Sequence, residues 1–372
     1  MRVLVTGGGG FIGSYTVDRL VADGHTVTIL DNFAPQVHPD GPPSYLNRAA
    51  HLIQGDVRER SAVESALVDI DAVVHCASAV GVAQSQYEIG HYTDVNLHGT
   101  GVLLESLIER RNTLKRLVVL TSMTEYGEGL YQQPSNGACL RVAIRNEQDV
   151  ERYGWEPVAP YSGEVLVPVA TSEDAELQAT NVYALTKRYQ EELALSVGAF
   201  YDFPVVCLRL FNVYGPRQSL SNPYTGVLAI FLSRLLAGES PLVYEDGGQT
   251  RDFVSVHDVV RAVILALTSP DAIGHVVNVG SGNAQRIGDC ALRLAALLGR
   301  PDIKPQITNK FRRGDIRHCL GDLSKAQRLL GYRASVSWDD GLMELIDWAR
   351  QSPAHDNVAK AQRELYDRGI LR

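Results

Sequence analysis

Three side chains carry the chemistry of proton transfer. In "NVYALTKRYQEE", Tyr183 and Lys187 stand four residues apart, so a helix presents both on one face. An ammonium near a phenol favours tyrosinate and lowers its pKa from a reference of about 10. The spacing therefore predicts a Tyr183 that exchanges a proton with a substrate hydroxyl near neutral pH. The third is Ser122 of "TSMTEYGEG" (121–129), which directly follows the apolar run "RLVVL". A buried strand should end there and deliver Ser122, with Thr124 beside it, to a site. The Tyr/Lys spacing alone is common; its weight comes from that hydroxyl cluster and from a glycine motif at the start of the chain.

The motif is "VLVTGGGGFIG", which follows the first strand and opens a helix, the context a dinucleotide-binding turn requires. Gly7 allows the tight turn, Gly10 lets backbone approach a pyrophosphate, and Gly13 lets the helix pack on its strand. The first helical turn, with Phe11 and Ile12, offers unpaired N–H groups and a positive dipole end to the diphosphate. Asp31 ends the second strand about 20 residues further on. Its carboxylate can accept both ribose hydroxyls and would repel a 2′-phosphate, which predicts NAD over NADP. Asp56 in "GDV" fits a contact to the adenine amino group, with an N-cap as its plain alternative. Asn32 and Val57 are assigned to the same pocket. "CASAV" (76–80) ends the fourth strand in small residues, which puts Ala77 against a flat cofactor.

The elements that position these residues alternate. Short apolar runs ("RVLVT", "TVTIL", "HLIQG", "DAVVHCA", "RLVVLTS", "VVCLRLFN") are separated by amphipathic stretches such as "FIGSYTVDRLVADG" and "HGTGVLLESLIERR". That pattern predicts an α/β fold, a Rossmann doubly wound parallel sheet with the site at the carboxyl ends of its strands. A smaller C-terminal α/β substrate lobe should follow. The expected division is 1–215 for the NAD-binding domain, interrupted by an aperiodic insertion at about 130–170. Residues 216–350 form the substrate lobe, with segments returning to the first domain, and 351–372 a helical tail.

Composition narrows the function. The 372 residues carry a formal charge of −8, which argues against a nucleic-acid-binding surface and makes any phosphate recognition a pocket property. Five scattered cysteines without metal-ligand spacing read as free thiols in a reducing compartment, with no metal. No apolar run approaches the roughly 18 residues of a membrane span, and the first strand starts at Arg2, leaving no room for a signal peptide. A cytoplasmic protein is expected.

Together "TGGGGFIG", Ser122, "YALTK", "LRLFNVYGPRQ", "RDFVSVHDV" and "RRGD" make nearly the whole chain resemble the extended short-chain dehydrogenases/reductases, in the branch of NAD-dependent nucleotide-sugar epimerases and dehydratases. The resemblance implies that Ser122, Tyr183 and Lys187 form a catalytic triad, with Lys187 also reaching the nicotinamide ribose. It implies a nucleotide-diphospho-sugar as substrate, whose diphosphate is held by the planar forks of Arg251 and Arg312. Asp315 would accept from the nucleotide ribose, Asn212 would sit near the phosphates, Tyr244 could stack on the base, and Ser219 of "SLSNPYTG" would line the same groove. His257 and Asp258 read as a helix start. Relatives in this branch pair as homodimers through helices corresponding to 94–111 and 183–199.

Within the branch, the segments around "AVGVAQSQYEIGHYTDVN", "SMTEYGEG" and "FRRGDIRH" are most similar to dTDP-L-rhamnose 4-epimerases, which implies that Gln84, Ser85 and Tyr87 face the sugar. Those relatives often carry paired cysteines in the insertion, where this chain has only Cys139, with Ala159 and Ser162 at other positions. Relatives that dehydrate or decarboxylate the sugar carry acids where this chain has Met123 and Thr124. What remains is hydride transfer at one carbon, which gives C4 epimerisation if the transient 4-keto sugar turns over in the site and takes the hydride back on its other face. Glu125 is one residue out of place, and an extended segment would turn it the other way. An NAD(P)H-dependent 4-ketosugar reductase, another nucleotide-sugar epimerase and a catalytically silent NAD-binding scaffold stay open as alternatives.

Overall fold

The apolar runs pair in parallel. β1 (Arg2–Thr6), β2 (Thr26–Asp31), β3 (His51–Gln54), β4 (Ala72–His75), β5 (Arg116–Ser122), β9 (Val205–Leu210) and β13 (Val276–Val279) form one seven-stranded sheet in the order β13-β9-β5-β4-β1-β2-β3. The computed structural model describes residues 1–220, 222, 226–312, 314–352, 363, 364 and 366–369. Every residue of β4, β5 and β9 is buried, as two-sided cover demands. Side chains alternate between two cores. Val3 and Val5 meet α1 (Phe11–Ala22), α9 (Val256–Thr268) and α11 (Ser324–Leu330) on one face. Leu4 meets α2 (Arg60–Ala66), α5 (Gly99–Ile108) and α7 (Val182–Tyr201) on the other. This is the doubly wound α/β fold expected from the alternation, and its strand order reverses between β1 and β4. That reversal opens a crevice at their carboxyl ends. After β4 the chain runs through α3 (Val82–Ser85), α4 (Ile89–Thr93) and a π-helical turn (Asp94–His98) into α5.

A second sheet stands over those carboxyl ends. It contains β6 (Leu130–Gln132), β7 (Cys139–Arg141), β8 (Val167–Thr171), β10 (Asn212–Tyr214), β12 (Thr250–Ser255) and β16 (His318–Gly321) in the order β10-β12-β16-β8-β6-β7, with β14 (Ala284–Arg286) pairing β12. A two-stranded ladder joins β11 (Leu242–Val243) to β15 (Gln306–Ile307). Helices α8 (Val227–Leu236), α10 (Ile287–Leu297) and α12 (Trp338–Gln351) enclose a separate apolar core around Leu232, Leu294 and Leu345. Residues 130–171 are thus ordered: they supply β6, β7, α6 (Glu147–Tyr153) and β8 to this sheet. Three-residue strands are too short to show a period in sequence. β13 returns to the first sheet. Most of the 351–372 tail lies outside the described residues, and among the described residues no helix is long and apolar enough to cross a membrane.

Candidate active site

The glycine turn between β1 and α1 is shaped by close approach. Gly7 has φ +68, and a Cβ there would lie 2.8 Å from the Ala77 backbone nitrogen; a Cβ on Gly13 would lie 2.0 Å from the Gly7 carbonyl oxygen. Gly10 caps α1 without a side-chain hydrogen bond, so the N–H groups of the first turn, through Phe11 and Ile12, stay free for an anion. Asp31 is buried at the end of β2 and accepts the N–H groups of Gly9 and Phe33, each at 2.8 Å. Asn32 donates to Asp56 at 2.8 Å. Asp56 also accepts from the Arg58 guanidinium, whose hydrogen bonds hold its pKa down to about 2. Val57 is buried beside Gly99. This cradle fits a dinucleotide: it combines a helix N-terminus, backbone that tolerates no Cβ, and a carboxylate at the end of the second strand.

At the end of β5 the chain does not stay extended. Met123–Tyr126 form a 3-10 turn, and Ser122 and Glu125 close a capping box over it. The turn buries Met123 among Tyr126, Phe211, Ile316 and Cys319, so position 123 faces the core. The Thr124 hydroxyl donates to the Ser122 Oγ at 3.0 Å. Expecting an extended segment to turn Glu125 away therefore used the wrong geometry: Glu125 is 0% exposed and its Oε1 accepts the Ser122 N–H at 3.1 Å.

Tyr183 and Ser122 come together across the site, close enough for the serine hydroxyl to stabilise the tyrosinate. Burial nevertheless dominates and pushes the Tyr183 phenol up to about 12, with the nearby Glu125 carboxylate adding to the rise. The lowering of this phenol by Lys187, expected from the i, i+4 spacing, is therefore not what the structure shows. Lys187 turns into the protein, where Nζ donates to the Leu120 carbonyl and to Gln190 Oε1, both at 2.9 Å. Burial lowers its own pKa to about 8. Gln190 in turn donates to Thr100 at 2.8 Å and lies 3.0 Å from His75 Nε2, giving a polar chain beneath the site. Burial depresses the pKa of His75 to about 3, with help from Lys187, so the ring stays neutral.

Below Ser122 lies a second network. Arg209 reaches Glu191 with two donors, Nε at 3.1 Å and Nη2 at 2.5 Å, and its Nε is 3.4 Å from Glu125 Oε2. Two carboxylates thus share one guanidinium in a dry interior. Burial, reinforced by the Glu191 charge, pushes the Glu125 pKa up to about 8. Sequence reading missed Gln190, Glu191 and Arg209. An arginine inside the apolar run "VVCLRLFN" was the available signal, since a buried guanidinium needs an acid partner.

The cleft is lined by Val82, Ala83, Gln86, Asn181, Arg312, Gly314 and Asp315. Three distant stretches meet there. Asn181 caps α7 by accepting the Ala184 N–H at 2.8 Å. Ser85 accepts the Tyr183 N–H at 3.0 Å and donates to Val82 O at 2.7 Å. Gln84 bonds Gln36 and Glu88. Both side chains are buried, so the α3 turn points them inward and leaves Val82, Ala83 and Gln86 toward the cleft. Tyr87 lies under the Arg368 guanidinium, 4.0 Å from its ring.

On the opposite wall Arg312 donates to Asp315 at 3.0 Å and stands 5.9 Å from the Tyr244 ring. Arg251 lies 3.6 Å from the same carboxylate and donates to the carbonyls of Thr250, Ile316 and Arg317. Although burial opposes it, the Arg312 and Arg251 charges hold the Asp315 pKa low. The Asn212 Oδ1 is buried without a hydrogen-bond partner, which suits a ligand donor. Ser219 is half-buried next to residues 221 and 223–225, which lie outside the described set. His257 is far from this chemistry: it pairs with Glu344 at 2.8 Å, while Asp258 accepts backbone N–H groups of Ser335 and Val336.

Residues 3–162 and 157–280 match the NAD dependent epimerase/dehydratase family. The chain is 35% identical to a dTDP-L-rhamnose 4-epimerase of Burkholderia thailandensis, over 94% of this chain and 95% of that one. Among solved structures it resembles the UDP-glucuronic acid 4-epimerase of Bacillus cereus in complex with UDP-glucuronic acid and NAD (TM-score 0.77, 26% identity, covering 94% and 99% of the two chains). It also resembles the UDP-glucose 4-epimerase of Thermotoga maritima with UDP-glucose (TM-score 0.74, 29% identity, 94% and 99%).

Proposed function

The chain belongs to the NAD dependent epimerase/dehydratase family, and within that NAD-dependent family we propose a nucleotide-diphospho-sugar 4-epimerase whose substrate resembles dTDP-L-rhamnose. One observation carries the reading: the cleft between Asn181 and the Arg312–Asp315 wall lies at the start of the helix that carries Tyr183, while Met123 is turned into the core and position 124 is a threonine. The 35% identity to a dTDP-L-rhamnose 4-epimerase supports the choice of sugar.

NAD, when bound in the glycine cradle, supplies a reversible hydride acceptor. The chain's own residues handle the proton and the oxygen. Arg312 and Arg251 engage the diphosphate, Asp315 the ribose, and Tyr244 the base. Ser122, oriented by Thr124 and by the Glu125 cap, holds the sugar 4-oxygen. Tyr183 takes the proton from that oxygen as C4 becomes a ketone, and returns it once hydride has been delivered to the other face. Lys187, one helical turn on, holds a buried ammonium against the Leu120 carbonyl near the end of β5. Met123 in the core and Thr124 as a hydroxyl leave no acid pair for eliminating water and no carboxylate for assisting decarboxylation. The net reaction inverts C4 without net redox change.

We also propose a cytoplasmic homodimer that pairs through α5 and α7. Support comes from Leu185, Tyr189 and Leu193, which are exposed on α7 at four-residue intervals. To test the reaction, purified protein is incubated with dTDP-L-rhamnose and, in parallel, UDP-glucose, with no added cofactor. A C4 epimer should form without stoichiometric nicotinamide turnover. No epimer from either sugar, with NAD(P)H consumed only when a 4-keto nucleotide sugar is supplied, would sink the proposal and identify a 4-ketosugar reductase.

A further inference from the structure

The 130–170 stretch contributes Arg145 and Glu156 to a buried charge cluster that no step above uses. Arg145, between β7 and α6, is almost wholly buried. Its Nη1 and Nη2 reach both carboxylate oxygens of Glu245, at 3.2 and 2.9 Å. Nη1 also donates to the Trp155 carbonyl at 2.9 Å, Nε lies 3.5 Å from Glu128, and the guanidinium stands 5.8 Å from the Phe311 ring. Glu245 receives a second cation, Arg317, at 2.7 Å. Arg317 also binds Asp246 and Glu156, and its backbone N–H is held by Glu128 at 2.8 Å. Glu128, Glu245 and Arg317 are each at most 1% exposed.

The cluster meets the cleft through chain neighbours. Glu245 follows Tyr244, Phe311 precedes Arg312, and Arg317 lies two residues after Asp315. Glu245 also holds the other arm directly: its N–H donates to the Lys310 carbonyl and its own carbonyl accepts the Asn309 N–H, both at 3.1 Å. Glu245 adopts the left-handed region, φ 52, which is unfavourable for a non-glycine residue. Such a conformation persists where surrounding contacts over-determine it, and here two guanidinium groups grip its side chain.

We propose that Arg145 is a positioning residue for nucleotide recognition, the point through which the 130–170 stretch holds the arms carrying Tyr244, Arg312 and Asp315 at the correct separation. This rests on the reading of those three residues as the nucleotide site. Arg145 touches neither substrate nor cofactor. The planar fork matters, because it grips both Glu245 oxygens while its face stays toward Phe311. A lysine would supply charge without that geometry.

The test uses full-length Arg145→Gln, Arg145→Lys and Arg312→Gln proteins. NAD content, melting temperature, kcat and KM for dTDP-L-rhamnose, and Kd for dTDP and UDP are measured. Arg145→Gln should raise KM and the nucleoside diphosphate Kd by on the order of tenfold, with kcat within about twofold and NAD content unchanged; Arg145→Lys should fall between it and wild type. Unchanged Kd and KM in an NAD-loaded Arg145→Gln overturn the proposal, as does a fall in kcat in step with loss of NAD. If Arg145→Gln does not fold, Arg145→Lys decides alone, and wild-type Kd and KM there overturn it. Arg312→Gln separates the two levels of the argument. Weakened dTDP binding in Arg312→Gln alone refutes the role of Arg145, whereas unaltered dTDP and UDP binding in Arg312→Gln refutes the nucleotide site itself.

Discussion

Glu125 accepts the backbone N–H of Ser122 at 3.1 Å from inside the protein, so this buried acid supports the serine from behind and does not enter the cleft. Its other oxygen lies 3.4 Å from an Arg209 Nε that is already committed to Glu191.

That placement makes stability depend on pH. Burial and the Glu191 charge raise the folded Glu125 pKa above its ordinary 4.5, toward about 8, against the pull of Arg209 and Lys187. Between those values the folded chain retains a proton that the unfolded chain releases. The stability Glu125 contributes is thus complete at low pH and is lost as pH rises through the folded value. Glu125→Gln removes this dependence. The melting temperature of the variant minus that of wild type should climb from about pH 5 to about pH 8 and then level. A difference that stays flat across that window would show that Glu125 is ionised throughout.

Tyr183→Phe deletes the proposed proton carrier while keeping the ring. With the phenol buried and Ser122 beside it, kcat should drop by about 10²- to 10⁴-fold at unchanged NAD content, because the glycine cradle is untouched. Turnover equal to wild type would remove Tyr183 from the mechanism.

Ser122 and Thr124 should differ in rank. Ser122→Ala removes the hydroxyl proposed to hold the sugar oxygen and should lower kcat by about 10²-fold. Thr124→Val removes only the hydrogen bond of Thr124 Oγ1 to Ser122 Oγ and should cost about fivefold. Steady-state kinetics that reverse this order would make Thr124 the group in contact with substrate.

The outer face of α7 offers a test of assembly. Leu185, Tyr189 and Leu193 are 39 to 49% exposed, and Phe200 is 77% exposed. Leu193→Glu puts a charge at the centre of that stripe, on the side of the helix away from Tyr183. Sedimentation should show a dimer for wild type and a monomer for the variant. A wild-type monomer at micromolar concentration contradicts pairing through this face.

Much of this site is local, and local features are legible in a sequence. A glycine turn after an apolar strand, an acid about 20 residues on, and a tyrosine and lysine one helical turn apart each follow from backbone geometry over a few residues. The α/β class and six of the seven strands of the first sheet follow equally from the alternation of apolar runs with amphipathic stretches; β13 was not among those runs. The 3-10 turn at Met123–Tyr126 was hidden because its cap, Ser122 with Glu125, could equally be read as the continuation of a strand. The direction of Lys187 was hidden too. Helical spacing places it beside Tyr183, but whether its ammonium meets the phenol or the Leu120 carbonyl depends on which acceptors the folded interior brings within reach.

The residue types at the strand ends and along one helix face, and with them the dinucleotide cradle and the class of chemistry, can be read from the amino-acid order. That Gln84 and Ser85 point inward, that Glu125 shares Arg209 with Glu191, and that Arg145 meets Glu245 across a separation of 100 residues, follows from the folding of the whole chain. Those contacts join segments far apart in the chain, and the burial that sets their electrostatics exists only once both sheets are in place. No window of sequence contains the second partner or the loss of water, so neither the pairing nor the shifted pKa values could be read before the fold was known.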